Sequence, residues 1–416
     1  MKSGIIPPHP PLPKGGLEFG HPPLAKGGRE DLEIIHIGAN RWDSMIQREQ
    51  HLMMGLSRFY RVLFIDPPLS LFTLCLGRIK GKRQTFRSRL RQVNDRLTVY
   101  TPPAFPPFSQ NLSWIHRRNT LLLVSRIKAL IQRLSFKNYI LGLSWPLWVS
   151  VLRELRPRRS YYDCSDDYLN YPGLRVDKEK LRKSEEELLR SVNLVFCSAQ
   201  RLKDAKALFN PNCFLIPNGV DLSSFENGKR GGEIPSDIKR IKKPILGYVG
   251  TLGEWVDFDT LVQLARAKPD WSVVMIGPVT SKRFSSLMKG APNIHWLREK
   301  RYDEIPAYLD VFDVCLIPFK VNEFTEKIYP TKFHQYLGAG KPVVSSHLPD
   351  LEPFRPWVTF YQGVKEMEKA IDRAIEEDSE EKALERRRIA SENTWDQRVK
   401  SMVEIFDRVY SENRIL

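Results

Sequence analysis

Lys332 and Gln335 stand three residues apart in Tyr329-Pro-Thr-Lys-Phe-His-Gln-Tyr-Leu-Gly-Ala-Gly-Lys-Pro-Val-Val-Ser345, with Tyr336 one turn beyond the lysine. At that spacing all three share a helix face. Pro330 suits a first helical turn, while Gly338, Gly340 and Pro342 end the helix before Val343-Val344 opens a strand. A cation and an amide near a helix N-terminus, which carries roughly half a positive charge, form an anion site. The same residues also suit a solvated surface helix. Upstream, Gly250 and Gly253 follow an apolar run, and glycines there let backbone N–H groups approach a diphosphate closely. A tight turn between strand and helix is the plain alternative. Tyr161-Tyr-Asp-Cys-Ser-Asp-Asp-Tyr-Leu-Asn170 places Asp163, Asp166 and Asp167 just after a strand. Close carboxylates raise one another's pKa toward that of a useful base, although Asp166 or Asp167 would equally cap the next helix. Asp163 and Asp166 are the preferred base candidates.

The elements that must position these groups alternate in α/β fashion. Strands are expected near residues 33–38, 61–66, 97–100, 139–143, 160–163, 194–198 and 213–216, with a helix over 44–59. After a polar, glycine-bearing stretch at 226–243, strands recur near 244–250, 272–277, 293–297, 314–318, 342–345 and 358–361. Helices are expected at 259–267, 305–309 and 330–337, and the tail from 364 to 410 reads as helical. Two similar halves predict a cleft between them, and ligands of open parallel sheets bind at the carboxyl ends of the strands.

Composition narrows the classes. The chain has 416 residues, enough for two domains, and is 42% hydrophobic and 27% charged, an ordinary globular mixture. Its five cysteines are scattered without a Cys-x-x-Cys pair, which argues against a disulfide framework or zinc cluster and favours a reducing compartment. No run reaches the ~20 apolar residues of a membrane span, and residues 1–30 lack the apolar core of a secretory signal. That leader repeats His9-Pro-Pro-Leu-Pro-Lys-Gly-Gly16 as His21-Pro-Pro-Leu-Ala-Lys-Gly-Gly28 and is expected to be a disordered extension. Between Arg78 and Arg159, eighteen Lys/Arg stand against two acids, an excess that equals the formal charge of the whole chain, +16. With Phe105, Phe108, Trp114, Trp145 and Trp148 interleaved, this window suits anionic lipid or nucleic-acid phosphate, or else a solvated face.

Taken together, the motifs resemble GT-B glycosyltransferases of the family 4 type over nearly all of residues 31–410. Ile216-Pro-Asn-Gly-Val-Asp221 resembles their strand-end and linker signature, and Leu246-Gly-Tyr-Val-Gly-Thr-Leu-Gly-Glu-Trp-Val-Asp257 their donor-domain opening. The strand ending Ile317-Pro-Phe319, the donor helix running into Gly340-Lys-Pro-Val343 and Glu392-Asn-Thr-Trp395 follow in the family's order. The wording is most similar to teichuronic-acid-type and exopolysaccharide enzymes.

This resemblance implies two Rossmann-like domains with parallel sheets facing a central cleft. Residues 31–225 would bind the acceptor and 226–395 the nucleotide-sugar, with 396–416 crossing back to the first domain. It implies sugar transfer from a nucleotide-diphosphate donor, UDP by preference, to a lipid-linked or polysaccharide acceptor at the cytoplasmic membrane face. The nucleotide-sugar is then a substrate, and neither cofactor nor metal is expected. Lys332 would neutralise the leaving diphosphate, Gln335 would bond ribose hydroxyls, and Glu326 and Lys327 would contact the sugar. Arg48 or His51, after the first strand, would meet an acceptor phosphate, unless they only line a helix face.

Departures accompany the likeness. Of the family's two glutamates, which have seven residues between them, the second falls on Gln335 and the first on Lys327, with Glu326 one place off register. Arg298 stands where a glycine is usual, and the glycine loop has no arginine. These changes put a retaining mechanism in doubt. Asp257-Phe-Asp259 matches a GT-A metal pattern but opens a helix, so no metal is expected there. The alternatives to transfer are a non-catalytic GT-B-like protein and a nucleic-acid-binding protein using residues 78–159. The second is disfavoured because no recognisable nucleic-acid module is present.

Overall fold

The run Glu33–Ile37 is buried at every position, as a strand covered on both faces of a sheet must be, and it forms β1 at the centre of the first sheet. The computed structural model describes residues 32–69, 88–105, 113–226, 233–284 and 290–412. The leader repeat and the stretches 78–87 and 106–112 of the basic window lie outside these.

Around β1 lie β2 (Arg61–Ile65), β3 (Arg89–Asn94), β4 (Leu97–Thr101), β5 (Tyr139–Leu143), β6 (Arg159–Cys164), β7 (Leu194–Cys197) and β8 (Cys213–Leu215). Their order is β3-β4-β2-β1-β5-β6-β7-β8, parallel except for β3, so the direction of winding reverses at β1. β3 was not expected from the sequence. It is an edge strand carrying Arg89 and Arg91, charges that keep an open edge from pairing further and also hide the strand pattern.

The first half's helices are α1 (Arg48–Leu56), α2 (Ser113–Arg133), α3 (Val149–Leu155), α4 (Lys178–Ser191) and α5 (Gln200–Ala207). α1 is shorter than the expected 44–59, starting at Gln47, whose backbone N–H bonds Gln50 Oε1 at 3.0 Å in a reciprocal cap.

The second sheet contains β9 (Ile245–Val249), β10 (Ser272–Ile276), β11 (Ile294–Trp296), β12 (Val314–Ile317), β13 (Val343–Ser346) and β14 (Thr359–Tyr361). It is wholly parallel in the order β11-β10-β9-β12-β13-β14, and its winding reverses at β9. Its helices are α6 (Phe258–Ala267), α7 (Ile305–Val311), α8 (Thr331–Gly338), α9 (Gly363–Glu376) and α10 (Glu380–Ser391). Arg298, at the expected glycine position, adopts φ +64, the left-handed region that a glycine would enter without strain.

α11 (Trp395–Glu412) belongs by sequence to the second half and by packing to the first. Trp395, Val399, Met402, Val403, Phe406 and Tyr410 are buried in one cluster with Ile34, Leu52, Tyr60 and Tyr161. A Cβ at Gly55 would lie 2.4 Å from Val399 Cγ2, so α1 and α11 cross where a side chain is missing.

Candidate functional site

Each sheet offers its reversal point as a crevice at the strands' carboxyl ends, and of the residues singled out in the sequence Gly250 and Lys332 meet at that of the second sheet. In the second sheet, β9 ends at Gly250, whose φ is +141, and β10 at Gly277, with φ +142. A Cβ on Gly277 would fall 2.1 Å from the Gly250 carbonyl oxygen, and one on Gly250 3.0 Å from Lys332 Cε. Only two glycines permit this approach of two strand ends and a lysine. Tyr336 accepts the Val249 N–H at 2.9 Å through its hydroxyl and so fixes α8 against β9.

Lys332 follows from that arrangement. Its ammonium lies over the Phe319 ring at 4.8 Å and the Tyr248 ring at 5.2 Å. It makes no hydrogen bond or ion pair with any described residue, and burial pulls its pKa down to about 8. An enclosed cation with no anion, at the first turn of a helix and against a glycine cradle, is a ready site for phosphate. Gln335 is half-buried one turn along, with its side-chain amide unbonded to described residues. Gly253 lies against the Trp255 ring, 2.4 Å from a Cβ placed there, so it shapes the loop rather than opening it.

Across the cleft, Asp166 is half-buried beyond the end of β6. Burial pushes its pKa up to about 7, reinforced by Asp167 and Glu49 and opposed by the Ser165 hydroxyl and Arg48. Asp163 behaves differently. Its carboxylate accepts Arg48 Nη2 at 2.8 Å and Arg48 Nε at 3.0 Å, both residues being buried, and Arg48 Nη1 goes on to the Ile216 carbonyl at 2.6 Å. Both oxygens of this carboxylate are taken up by Arg48, and Arg48 so engaged is not free for an acceptor phosphate. Both are better described as the pin between α1, β6 and the start of the linker.

His51 is also turned inward. It stacks on Trp395 at 4.9 Å with planes 11° apart, and burial, partly offset by Asp221, pulls its pKa to about 4. Half-buried, it packs α1 on α11.

Glu326 and Lys327 lie on a short turn before α8, and each has a partner in the first half, Lys327 pairing also with Glu323 four residues back at 3.1 Å. Lys327 Nζ donates to Asp167 Oδ2 at 2.7 Å, and Glu326 accepts from Arg201. Asn170 Nδ2 donates to Glu323 at 3.0 Å and the Gln200 N–H to Asp350 at 2.8 Å. These residues therefore clasp the two halves rather than present free groups to a sugar.

No role was expected for the aromatic group in which the Tyr171 ring meets Trp255 at 5.8 Å and Phe324 at 5.2 Å edge to face across the cleft, while Trp255 and Phe324 lie tilted at 6.3 Å. Trp255 was visible in the glycine loop, but nothing in the chain marks Tyr171 as its neighbour. Asp257 caps α6 through the Thr260 N–H at 3.2 Å, and Asp259 pairs with Arg283 at 3.0 Å. These two carboxylates are thus engaged separately.

Comparison with known proteins agrees with this geometry. Residues 259–404 match the family model described as glycosyl transferase-like. Sucrose-phosphate synthase from Thermosynechococcus elongatus superposes with a TM-score of 0.69 at 13% identity, over 92% of this chain and 100% of that one. Anabaena HepE in complex with UDP gives 0.62 at 15% identity, over 90% and 100%. The chain has the GT-B fold.

A UDP-forming trehalose-phosphate synthase from Burkholderia xenovorans gives 0.64 at 12% identity, over 91% of this GT-B chain and 99% of its own. In sequence the chain resembles TuaH of Bacillus subtilis, described as a teichuronic acid biosynthesis glycosyltransferase. They are 26% identical over 214 residues, 48% of this chain and 53% of the relative. The alignment thus spans about half the length of that curated relative.

Proposed function

We propose that the protein is a glycosyltransferase that moves a sugar from a nucleoside-diphosphate donor, preferably UDP-linked, to a lipid-linked or polysaccharide acceptor in cell-surface glycan synthesis. The observation that carries this reading is Lys332, a half-buried cation without an anionic partner among the described residues, against the Gly250–Gly277 cradle. The matched family supports the reaction class, and the UDP named for the HepE structure supports the choice of nucleotide.

In the reaction, the bond from the sugar's anomeric carbon to the diphosphate oxygen breaks, and the acceptor oxygen bonds to that carbon. Negative charge grows on the departing diphosphate, where Lys332 and the first-turn N–H groups of α8 would stabilise it. Gln335 would bond ribose hydroxyls through its amide. Asp166, poised near neutrality, would take the acceptor hydroxyl's proton. Charge neutralisation by Lys332 fills the role that a metal takes elsewhere, and the nucleotide-sugar is itself a substrate, so the scheme needs no resident cofactor. Buried free thiols at Cys164, Cys197, Cys213 and Cys315 support a cytoplasmic setting.

The reading is tested by assaying donor hydrolysis and transfer against a panel of UDP- and GDP-sugars. Wild-type turnover that falls roughly 100- to 1,000-fold in Lys332→Ala, at unchanged melting temperature, is the expected outcome. A folded wild type that neither binds nor turns over any nucleotide-sugar would favour a non-catalytic GT-B protein.

A further inference from the structure

The described part of the basic window contains one long surface helix of unusual make-up. α2 carries Arg117, Arg118, Arg126, Lys128 and Arg133 and no acidic residue in its 21 positions. Ile115, Leu123, Val124, Ile127 and Leu130 are buried in the first half's core. The outward face is not the polar one that a solvated helix presents. Trp114 is 65% exposed, Leu121 45% and Leu122 43%, and they alternate along that face with exposed Arg117, Arg118, Arg126 and Lys128. None of these four cations bonds a described acid.

The helix has a definite direction. Arg61 opens β2, and its Nη2 donates to the Leu134 carbonyl at 2.5 Å, which places the C-terminal end of α2 at the amino edge of the sheet. At ~1.5 Å per residue the helix runs ~30 Å back, so Trp114 lies toward the carboxyl edge, the edge that bears Asp166.

We propose that α2 is an in-plane anchor that docks the protein on an anionic lipid bilayer with its Trp114 end beside the cleft mouth. Trp114, Leu121 and Leu122 would enter the headgroup–acyl boundary while the arginines meet lipid phosphate. Charge complementarity favours this occupant, and the apolar stripe favours a bilayer over nucleic acid, whose backbone offers nothing for two leucines. No helix among the described residues is long and apolar enough to cross a membrane, so the contact is a surface one. The anchor deepens the reading above, on which it rests, by presenting a lipid-borne acceptor at the edge where Asp166 lies.

The test is co-sedimentation of the full chain with phosphatidylcholine vesicles, with and without one-third phosphatidylglycerol, at low and high salt and without donor. The anchor predicts binding to the anionic vesicles. Arg117→Ala with Arg118→Ala should weaken it roughly 30-fold at low salt, on a scale of about 1 kcal/mol per cation. Leu121→Ser with Leu122→Ser should remove the part that survives high salt, and both variants should keep the wild-type melting temperature. Equal partition onto neutral and anionic vesicles would overturn the proposal, as would double variants that bind like wild type. So would oligonucleotide binding lost with the arginine pair and kept with the leucine pair, in a protein that ignores vesicles. UDP binding, measured separately, keeps the two readings apart. Vesicle binding without binding of UDP or GDP sinks the transferase, and the reverse sinks only the anchor.

Discussion

Lys332 and Asp166 are both displaced by burial toward neutrality, from opposite directions. A base must be deprotonated to act, so activity rises with pH as Asp166 titrates near 7. The lysine must be charged to hold the diphosphate, so activity falls as Lys332 titrates near 8. The expected kcat/KM profile is a narrow bell between those values, and Asp166→Asn should remove its acid limb along with most of the rate. A profile flat from pH 6 to 9 would contradict both assignments. Residue types and local spacing singled out Lys332, Gln335 and Gly250 because each reads within one helix or one loop, whereas Gly277 was not singled out, since only the sheet brings it against Gly250. The roles of Asp163 and Arg48 were not legible, because they meet 115 residues apart in sequence and only the fold joins them. Removing one member of such a buried pair strands the other's charge. Arg48→Ala should therefore lower stability by about 3–5 kcal/mol in a urea titration, whereas breaking an exposed pair such as Arg373–Glu377 should leave the urea midpoint nearly unchanged.

At the scale of elements, strands buried on both faces were readable as apolar runs, and every expected strand of the second sheet is present. The failures share a physical cause. β3 and α2 carry their charges on exposed surfaces, so arginine interrupts the periodicity that identifies an element. α11 was readable as a helix, and its return to the first half was expected from resemblance alone. Its burial now carries a prediction. Phe406 is wholly buried against the Tyr60, Tyr161 and Phe196 rings, so Phe406→Ala should cost about 3–5 kcal/mol, read as a lowered urea midpoint. If α11 were only loosely docked, the loss would be near that of an exposed residue such as Leu384.

For the whole molecule, two sheets present their reversal points to one cleft, and the clasp across it is built from ion pairs and rings rather than a continuous core. Arg201–Glu326 is largely exposed and Lys327 half-buried, so solvent competes for these links as an opening and closing cleft requires, whereas Asp167 and Phe324 on the same clasp are buried. Lys327→Ala with Arg201→Ala should enlarge the radius of gyration in solution scattering, and an unchanged value would show that the clasp does not set closure. The sequence could not reveal these pairs, since each partner reads as an ordinary surface charge in its own half. The central claim remains that the cleft takes a nucleoside diphosphate on Lys332. Calorimetric titration of the full chain with UDP tests it most directly. The account predicts saturable binding that weakens at least about tenfold in Lys332→Ala, the loss of one charge-assisted contact. Equal affinity in the two proteins, or none for UDP or GDP in the wild type, would contradict it.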